Sequence, residues 1–423
     1  MLAVMLELTP SLCTPFPVPV HVCDTRVNQA GDVVLMPAFQ FDLHDLPRES
    51  EELRLEIREF LRQELSGRSR RHRAETWNGL DPEFSAKLGE RGWLGMTWPR
   101  EVGGHERSAF DRYVVSEELI AQGAPVAYHW IADRQSGPLL IRFGTDEHRR
   151  EIVPRIAAGE LCFCIGMSEP DSGSDLASLR SRASKVDGGW ILNGRKVWTT
   201  YAHEAQYMIA LVRTAPLDTE HRHAGLSQFI IDMSSPGIVL SPIENMVGEH
   251  HFNEVAFEDA FLPDGALVGT EGDAWQQVNA ELAFERSGPE RFLSSHILLE
   301  EMVAEAGRRA AGGIASERNA VEIGRLVARL RTLRRLSVSV AGMLDAGAAP
   351  LLESAVVKSL GVELEQDLPS VAHGLFGVEQ LGDTGDDFQQ VLGYLTQSVP
   401  SFSLRGGTPE IMRGIIARGL GLR

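Results

Sequence analysis

The hydrophobic pattern of this sequence changes period twice, which constrains the possible folds more than any other feature. Apolar residues recur at helical spacing over residues 46–160. Over residues 161–272 they form short runs rich in Val, Ile and Trp, and from residue 273 to residue 423 the helical spacing returns. We therefore expect an α+β multi-domain protein with an N-terminal helical domain, a middle antiparallel β domain and a C-terminal helical bundle. Residues 1–45 are expected to be a weakly structured leader.

Two dipeptides in the middle segment predict tight turns between strands. Asp187-Gly188 and Asn193-Gly194 supply the positive φ angles that two-residue hairpin turns require. Further strands are predicted in four runs of apolar and β-branched residues, at 207–212, 229–232, 238–240 and 255–257.

The composition excludes several classes of function. A formal net charge of −18 argues against a nucleic-acid partner, because neutralising phosphates needs a basic surface. No apolar run reaches the ~20 residues that a membrane-spanning helix needs. Four cysteines in 423 residues are too few for a disulfide framework. We therefore expect a cytoplasmic enzyme without a membrane span.

Two segments carry residues suited to binding phosphate or a polar ring. In segment 167–175, three serines and Gly173 around Pro170 can expose backbone N–H groups. In segment 405–413, a glycine pair and Thr408 precede a predicted helix start, which attracts anions. On composition alone, the first segment fits an ordinary surface turn and the second an ordinary capped helix. The histidine pairs at 221/223 and 250/251 lack a partner at clear ligand spacing, so no metal site is expected.

The order of the motifs is more informative than any single motif. Along the chain they are Gly95–Pro99 with Gly103-Gly104, Ser168–Pro170 with Gly173–Asp175, Gly194–Thr200, Phe284–Arg286, and Gly406–Ile411. In this order and spacing the sequence resembles the acyl-CoA dehydrogenase family of flavoproteins over about residues 46 to 423. The resemblance implies FAD as cofactor and α,β-dehydrogenation of an acyl-CoA thioester, with hydride passing to flavin N5.

The resemblance also implies roles for individual residues. The cofactor-binding residues carried over are Met167, Ser168, Gly173, Ser174, Trp198, Thr200, Thr408 and Glu410. Met167 and Ser168 would contact the flavin ring, Trp198 would cover one edge of it, and the Thr200 hydroxyl would lie near N5. Ser174 would reach the flavin phosphates or the substrate, with Gly173 allowing close backbone approach. Thr408 and the turn after it would hold the pyrophosphate.

The family places its catalytic base at one of two sites. One is the position directly before the Gly-Thr of the C-terminal motif, which is Gly406 here and offers no carboxylate. The other is a glutamate immediately before an arginine on the first helix after the β domain, which Glu285 matches. Arg286 would then orient the substrate. Glu290-Arg291 has the same dipeptide and is a rival.

Two departures from the family pattern bear on assembly. The Phe-Gly that usually follows an arginine on a C-terminal helix is missing after Arg318, and Glu379 and Asp383 fall near the family's Gln-x-Leu-Gly-Gly. Carboxylates there would repel a phosphate. The resemblance therefore implies a homo- or hetero-oligomer, in which a related chain completes the adenosine end of the FAD site.

Three functions remain open. The first is a catalytic acyl-CoA dehydrogenase that passes electrons to an electron-transfer flavoprotein. The second is a non-catalytic or site-sharing subunit of a heteromeric dehydrogenase. The third is a flavin monooxygenase or oxidase on the same scaffold.

Overall fold

The structure, a computed structural model, describes residues 25–27, 33–35, 39–278, 286–378 and 385–422. Strands β1 (Thr25–Val27) and β2 (Val33–Leu35) pair antiparallel to each other. The rest of the predicted leader up to residue 38, Glu285, Glu379 and Asp383 lie outside the described residues.

The N-terminal part of the chain is helical, as its apolar spacing predicts. Its α-helices are α1 (Arg48–Glu64), α2 (Arg70–Glu75), α3 (Pro82–Glu90), α4 (Ala109–Ala121), α5 (Ala127–Ile131), α6 (Gly137–Phe143) and α7 (Val153–Ala157). On α1 the apolar stripe that includes Ile57 and Phe60 is buried. The Asp81 side chain accepts a hydrogen bond from the Phe84 N–H at 2.9 Å and thereby caps the start of α3, where Pro82 takes the first helical position.

The middle of the chain forms an eight-stranded sheet within the described residues. Its strands are β3 (Phe163–Gly166), β4 (Arg182–Val186), β5 (Gly189–Thr200), β6 (Tyr207–Arg213), β7 (Leu226–Asp232), β8 (Ile238–Glu244), β9 (His250–Pro263) and β10 (Leu267–Val268). The order is β10-β7-β6-β4-β5-β9-β8, and β3 joins β6 on the side. Most neighbours are antiparallel, but β3 and β4 both meet β6 in parallel.

One of the two predicted hairpins is confirmed and the other is wrong. Gly188 has a φ of +73° in the turn between β4 and β5, where Val186 pairs with Gly189. Asn193-Gly194 instead lies inside β5, at a bulge in the pairing with β9. A Cβ on Gly194 would come within 2.3 Å of the Ser181 hydroxyl oxygen, so this glycine permits a close approach of strands and not a chain reversal.

The C-terminal part returns to helices. They are α8 (His296–Ala311), α9 (Glu317–Asp345), α10 (Leu351–Phe376), α11 (Asp387–Ser398) and α12 (Pro409–Gly419). Ile57 of α1, Ile297 of α8 and Leu392 of α11 belong to one hydrophobic core, so the N- and C-terminal helices pack together, whereas the sheet has a core of its own. No described helix combines the length and apolarity needed to cross a membrane.

Candidate functional site

The structure brings two of the sequence motifs together, the turn that follows β3 and the strand β5. The Val197 N–H donates to the Ser168 carbonyl at 2.9 Å, and the Lys196 ammonium donates to the Met167 carbonyl at 3.2 Å. The turn after β3 is therefore fixed directly against the strand that carries Trp198. Gly173 and Ser174 lie further along this turn and are exposed.

A buried ion pair holds this turn in place. Lys196 is fully buried, and its Nζ lies 2.8 Å from Oε1 of Glu169 and 2.7 Å from the Leu211 carbonyl. The Glu169 carboxylate also accepts from the backbone N–H groups of Arg180 and Ser181 at 2.7 and 2.9 Å. Burial lowers the pKa of Lys196 to about 8, against the opposing effect of Glu169. Burial alone would raise the pKa of Glu169, but Lys196 and the N–H groups hold it below its usual value.

Trp198 leaves an aromatic face uncovered beside this turn. Its side chain is 60% exposed, and its φ of +59° is uncommon for a bulky residue. The indole meets Phe252 edge to face at 6.1 Å, and the half-buried Thr200 lies two residues further along β5. A strained backbone that presents a large apolar ring to solvent is typical of a ligand site. A planar ring system fits here, since it would cover the indole.

The C-terminal motif forms a loop before α12, and two positively charged side chains bind its backbone carbonyls. Arg286 Nε donates to the Gly406 carbonyl at 3.0 Å, and the Lys358 ammonium donates to the Gly407 carbonyl. The Thr408 hydroxyl oxygen accepts from the Ile411 N–H at 3.4 Å, which confirms the predicted helix start. Glu410 is exposed in the first turn of α12. The positive end of the α12 dipole at this turn suits an anionic ligand such as a phosphate.

The structure separates the candidates for a catalytic base. Gly406 has a φ of +68°, and a Cβ there would lie 3.0 Å from Arg291 Nη2, so this position does not accommodate a side chain without strain. Glu290 is completely buried and its Oε1 is bound to Arg134 Nη2 at 3.0 Å, which makes it part of an ion pair. Glu285, outside the described residues, stays the predicted base.

We expect Gly406→Ala to lower the free energy of unfolding by about 1–2 kcal/mol, because alanine is strained at a left-handed φ. Gly414→Ala is the matched control: Gly414 lies on α12 with nothing within 4 Å of its Cβ position. Alanine there should stabilise by about 0.5–1 kcal/mol. Urea unfolding measures both, and equal effects in the two variants would contradict the strain at Gly406.

Buried charges are the residues that sequence reasoning missed. Glu365 of α10 is fully buried, accepts from the Ser294 N–H at 2.7 Å and lies 3.6 Å from Arg405 Nη2. Burial raises the pKa of Glu365 to about 7, while Arg405 opposes the rise. The ion pair of Lys196 could have been suspected from the sequence, because a charged residue stands there between strand-forming residues. No local sequence pattern links Glu365 to Arg405. No group of three or more His, Cys, Asp or Glu side chains in the described part of the chain is arranged to hold a metal ion.

Comparison with known proteins identifies the family. The acyl-CoA dehydrogenase N-terminal domain matches residues 47–160, the middle domain residues 164–260 and the C-terminal domain residues 275–421. Acyl-CoA dehydrogenase FadE26 of Mycobacterium tuberculosis is 32% identical over 401 residues, covering 88% of this chain and 97% of that protein. Acyl-CoA dehydrogenase FadE34 of the same organism is 31% identical, but this chain spans only 48% of its length.

Solved structures agree with these relatives. The Tcur3481-Tcur3483 steroid ACAD is similar with a TM-score of 0.80 and 27% identity, covering 90% of this chain and 98% of that one. The ChsE4-ChsE5 complex from Mycobacterium tuberculosis is similar with a TM-score of 0.77 and 29% identity, covering 89% and 98%. With the fold, the paired motifs and these matches together, the chain belongs to the acyl-CoA dehydrogenase family of oxidoreductases.

Proposed function

We propose that this chain catalyses the FAD-dependent α,β-dehydrogenation of an acyl-CoA thioester. The observation that carries the proposal is the exposed, strained Trp198 beside the turn that Lys196 and Glu169 hold rigid. Family membership supports FAD as the ligand that binds beside Trp198, and a flavin ring would cover the exposed face of the indole. The domain limits 46–160, 161–272 and 273–423 are part of the same proposal.

The residues present fit FAD in two groups. Met167, Ser168, Trp198 and Thr200 would hold the flavin ring, because hydrogen bonds already join their two segments. Gly173 and Ser174 are exposed and can approach the phosphates or the substrate. Thr408 and Glu410 stand at the start of α12, where backbone N–H groups favour the pyrophosphate.

The reaction removes two hydrogens from adjacent carbons. The Glu285 carboxylate takes the α proton, so the Cα–H bond breaks and its electron pair forms the new double bond. FAD held by Met167, Ser168, Trp198 and Thr200 would supply the acceptor for the hydride of the β carbon. Arg286 fixes the Gly406 carbonyl and thereby orients the backbone beside the thioester. A weakly acidic α proton requires this positioning and the exclusion of water from the base.

The partners follow from the same chemistry. The reduced flavin needs an electron acceptor, and we propose an electron-transfer flavoprotein. Oligomerisation is proposed from the missing Phe-Gly after Arg318 and from Glu379 and Asp383.

A second candidate function is a site-sharing subunit of a heteromeric dehydrogenase. Both similar structures reported above are named for two different chains, and FadE34 is about twice as long as the region that matches. The missing Phe-Gly after Arg318 and the carboxylates Glu379 and Asp383 favour this arrangement, because both changes weaken the proposed adenosine end of the FAD site.

The experiment is to purify the chain alone and with a co-expressed family member, and to measure flavin per chain and anaerobic bleaching by acyl-CoA esters. We expect yellow protein that bleaches with the right ester. One FAD per chain in the protein alone would support the first candidate. Flavin that binds only in the presence of the partner chain would support the second, and protein that stays colourless in both preparations would contradict both.

A further inference from the structure

Residues 198–201, at the end of β5, hold a backbone conformation that is unfavourable by itself. Trp198 has a φ of +59° and Tyr201 a φ of +51°, so two bulky residues close together are in the left-handed region. The pairing with β9 is also irregular here, because the register shifts just before Thr199. Such a conformation persists only where surrounding groups fix it. In the proposed function, this segment carries Trp198 and Thr200 against the flavin ring.

Hydrogen bonds from neighbouring elements fix this segment. The side-chain nitrogen of Asn253 donates to the Thr199 carbonyl at 3.2 Å, and Asn253 is completely buried on β9. The Tyr201 N–H donates to the His251 carbonyl at 2.8 Å, and the Tyr201 hydroxyl donates to the Asn78 carbonyl. Among these groups, Asn253 is the side chain that reaches the middle of the segment.

Two histidines orient the Asn253 amide. Its oxygen lies 2.8 Å from His250 Nε2, and its nitrogen lies 3.0 Å from His203 Nδ1. The same Nδ1 is 3.2 Å from the amide oxygen, the longer of the two distances. The two imidazole rings are stacked, with centroids 3.9 Å apart and planes at 18°. These contacts are all satisfied when His250 Nε2–H donates to the amide oxygen and the two amide hydrogens go to the Thr199 carbonyl and to an unprotonated Nδ1 of His203.

This arrangement requires a neutral His203. A proton on its Nδ1 would turn this acceptor into a donor that faces the amide hydrogens of Asn253. Partial burial and the stacked His250 lower the pKa of His203, while Asn253 and Glu204 act in the opposite direction. The other charged or titratable groups around the histidine pair are Arg71, Glu249, His251 and Tyr201, and, in the cleft that His203 borders, Arg155, Tyr207 and Asp232.

On the basis of the proposed function, we propose that Asn253 is a positioning residue: oriented by the stacked His203 and His250, it holds residues 198–201 in the conformation that binds FAD. Because the segment is fixed before the ligand arrives, binding does not have to order it. His203 is exposed, so its protonation state reaches the flavin site through a single buried side chain.

The first test replaces Asn253 with aspartate, which keeps the size of the side chain and an acceptor for His250 but offers no donor to the Thr199 carbonyl. We expect Asn253→Asp to bind FAD at least about tenfold more weakly at neutral pH, because that carbonyl then faces a carboxylate. Quenching of FAD fluorescence measures the Kd on the FAD-free protein, with its partner chain if one is needed.

The second test is a pH profile, which a merely structural role of Asn253 would not link to a surface histidine. Since the pKa of His203 lies below its usual value of about 6.5, the contact is intact at neutral pH and is lost as the pH falls below that value. We expect the FAD affinity of the wild-type protein to fall at least about threefold between about pH 7.5 and about pH 5. His203→Gln, which takes up no proton in this range, should lose most of this decrease. His72→Gln, at an exposed histidine of α2, is the matched control and should keep it.

The outcomes separate this inference from the proposed function. Wild-type FAD affinity in Asn253→Asp, or a wild-type pH profile in His203→Gln, would overturn the inference and leave the proposed function intact. Both effects without bleaching by any acyl-CoA ester would overturn the proposed reaction alone, and a wild-type protein that binds no FAD even with its partner chain would overturn both. If Asn253→Asp does not fold, the pH profile of the exposed His203→Gln still decides the question.

Discussion

Replacing Glu285 with glutamine is expected to slow flavin reduction by acyl-CoA about 10³-fold, because glutamine cannot accept the α proton at neutral pH. Arg286, the next residue, is 6% exposed and donates to the Gly406 carbonyl, so it contacts the C-terminal loop directly. Glu285 is proposed as the base because it directly precedes Arg286 in the sequence. Stopped-flow bleaching under anaerobic conditions measures the rate, and the ratio of flavin to protein should stay at the wild-type value.

Two further variants sharpen this result. Glu271→Gln changes an exposed glutamate and should bleach at the wild-type rate. Glu290→Gln should weaken folding, because it leaves the buried Arg134 without its counter-charge. Exchange of the α proton with D₂O reports proton removal directly. Full turnover in Glu285→Gln, or a selective loss of α-proton exchange in a stably folded Glu290→Gln, would assign the base to another carboxylate.

Local chemistry explains why the element types could be predicted. Asp81 and Thr408 act as helix caps through their own side chains, so two or three adjacent residues suffice to recognise them. The Gly188 turn depends in the same way on one backbone angle. The spacing of apolar residues then distinguishes the sheet from the helices. A period of about 2 buries one face of a strand, whereas a period of about 3.6 buries one face of a helix.

The wrong and the missing predictions depend on contacts that are distant in sequence. Gly194 has turn chemistry, but the neighbouring Ser181 determines that it serves a bulge. Arg405 and Glu365 are 40 positions apart in the printed sequence, and only the packing of α10 against the C-terminal loop brings them together. The site residues carried over from the family stay predictions, although hydrogen bonds do join the turn that carries Ser168 to the strand that carries Trp198.

Lys196→Met is expected to lower the free energy of unfolding by about 3–5 kcal/mol, since it leaves the buried Glu169 carboxylate without its cation. The same change frees the Met167 carbonyl, which Lys196 now holds. The turn that would contact the flavin ring loses its anchor, so FAD affinity should fall at least about tenfold, by loss of one or more charge-assisted hydrogen bonds. Urea unfolding of the FAD-free protein and quenching of FAD fluorescence measure the two effects separately.

Lys185→Met is the matched control in the same sheet, because the Lys185–Asp264 pair is more than half exposed on both sides. It should cost about 1 kcal/mol or less and leave FAD affinity unchanged. The double variant Lys196→Met/Glu169→Gln should recover part of the lost stability, since glutamine removes the unpaired buried charge but keeps an acceptor for the N–H groups of Arg180 and Ser181. If Lys196→Met were no more destabilising than Lys185→Met, the ion pair would not be what fixes the turn, and the exposed Trp198 would have to be positioned by β5 alone.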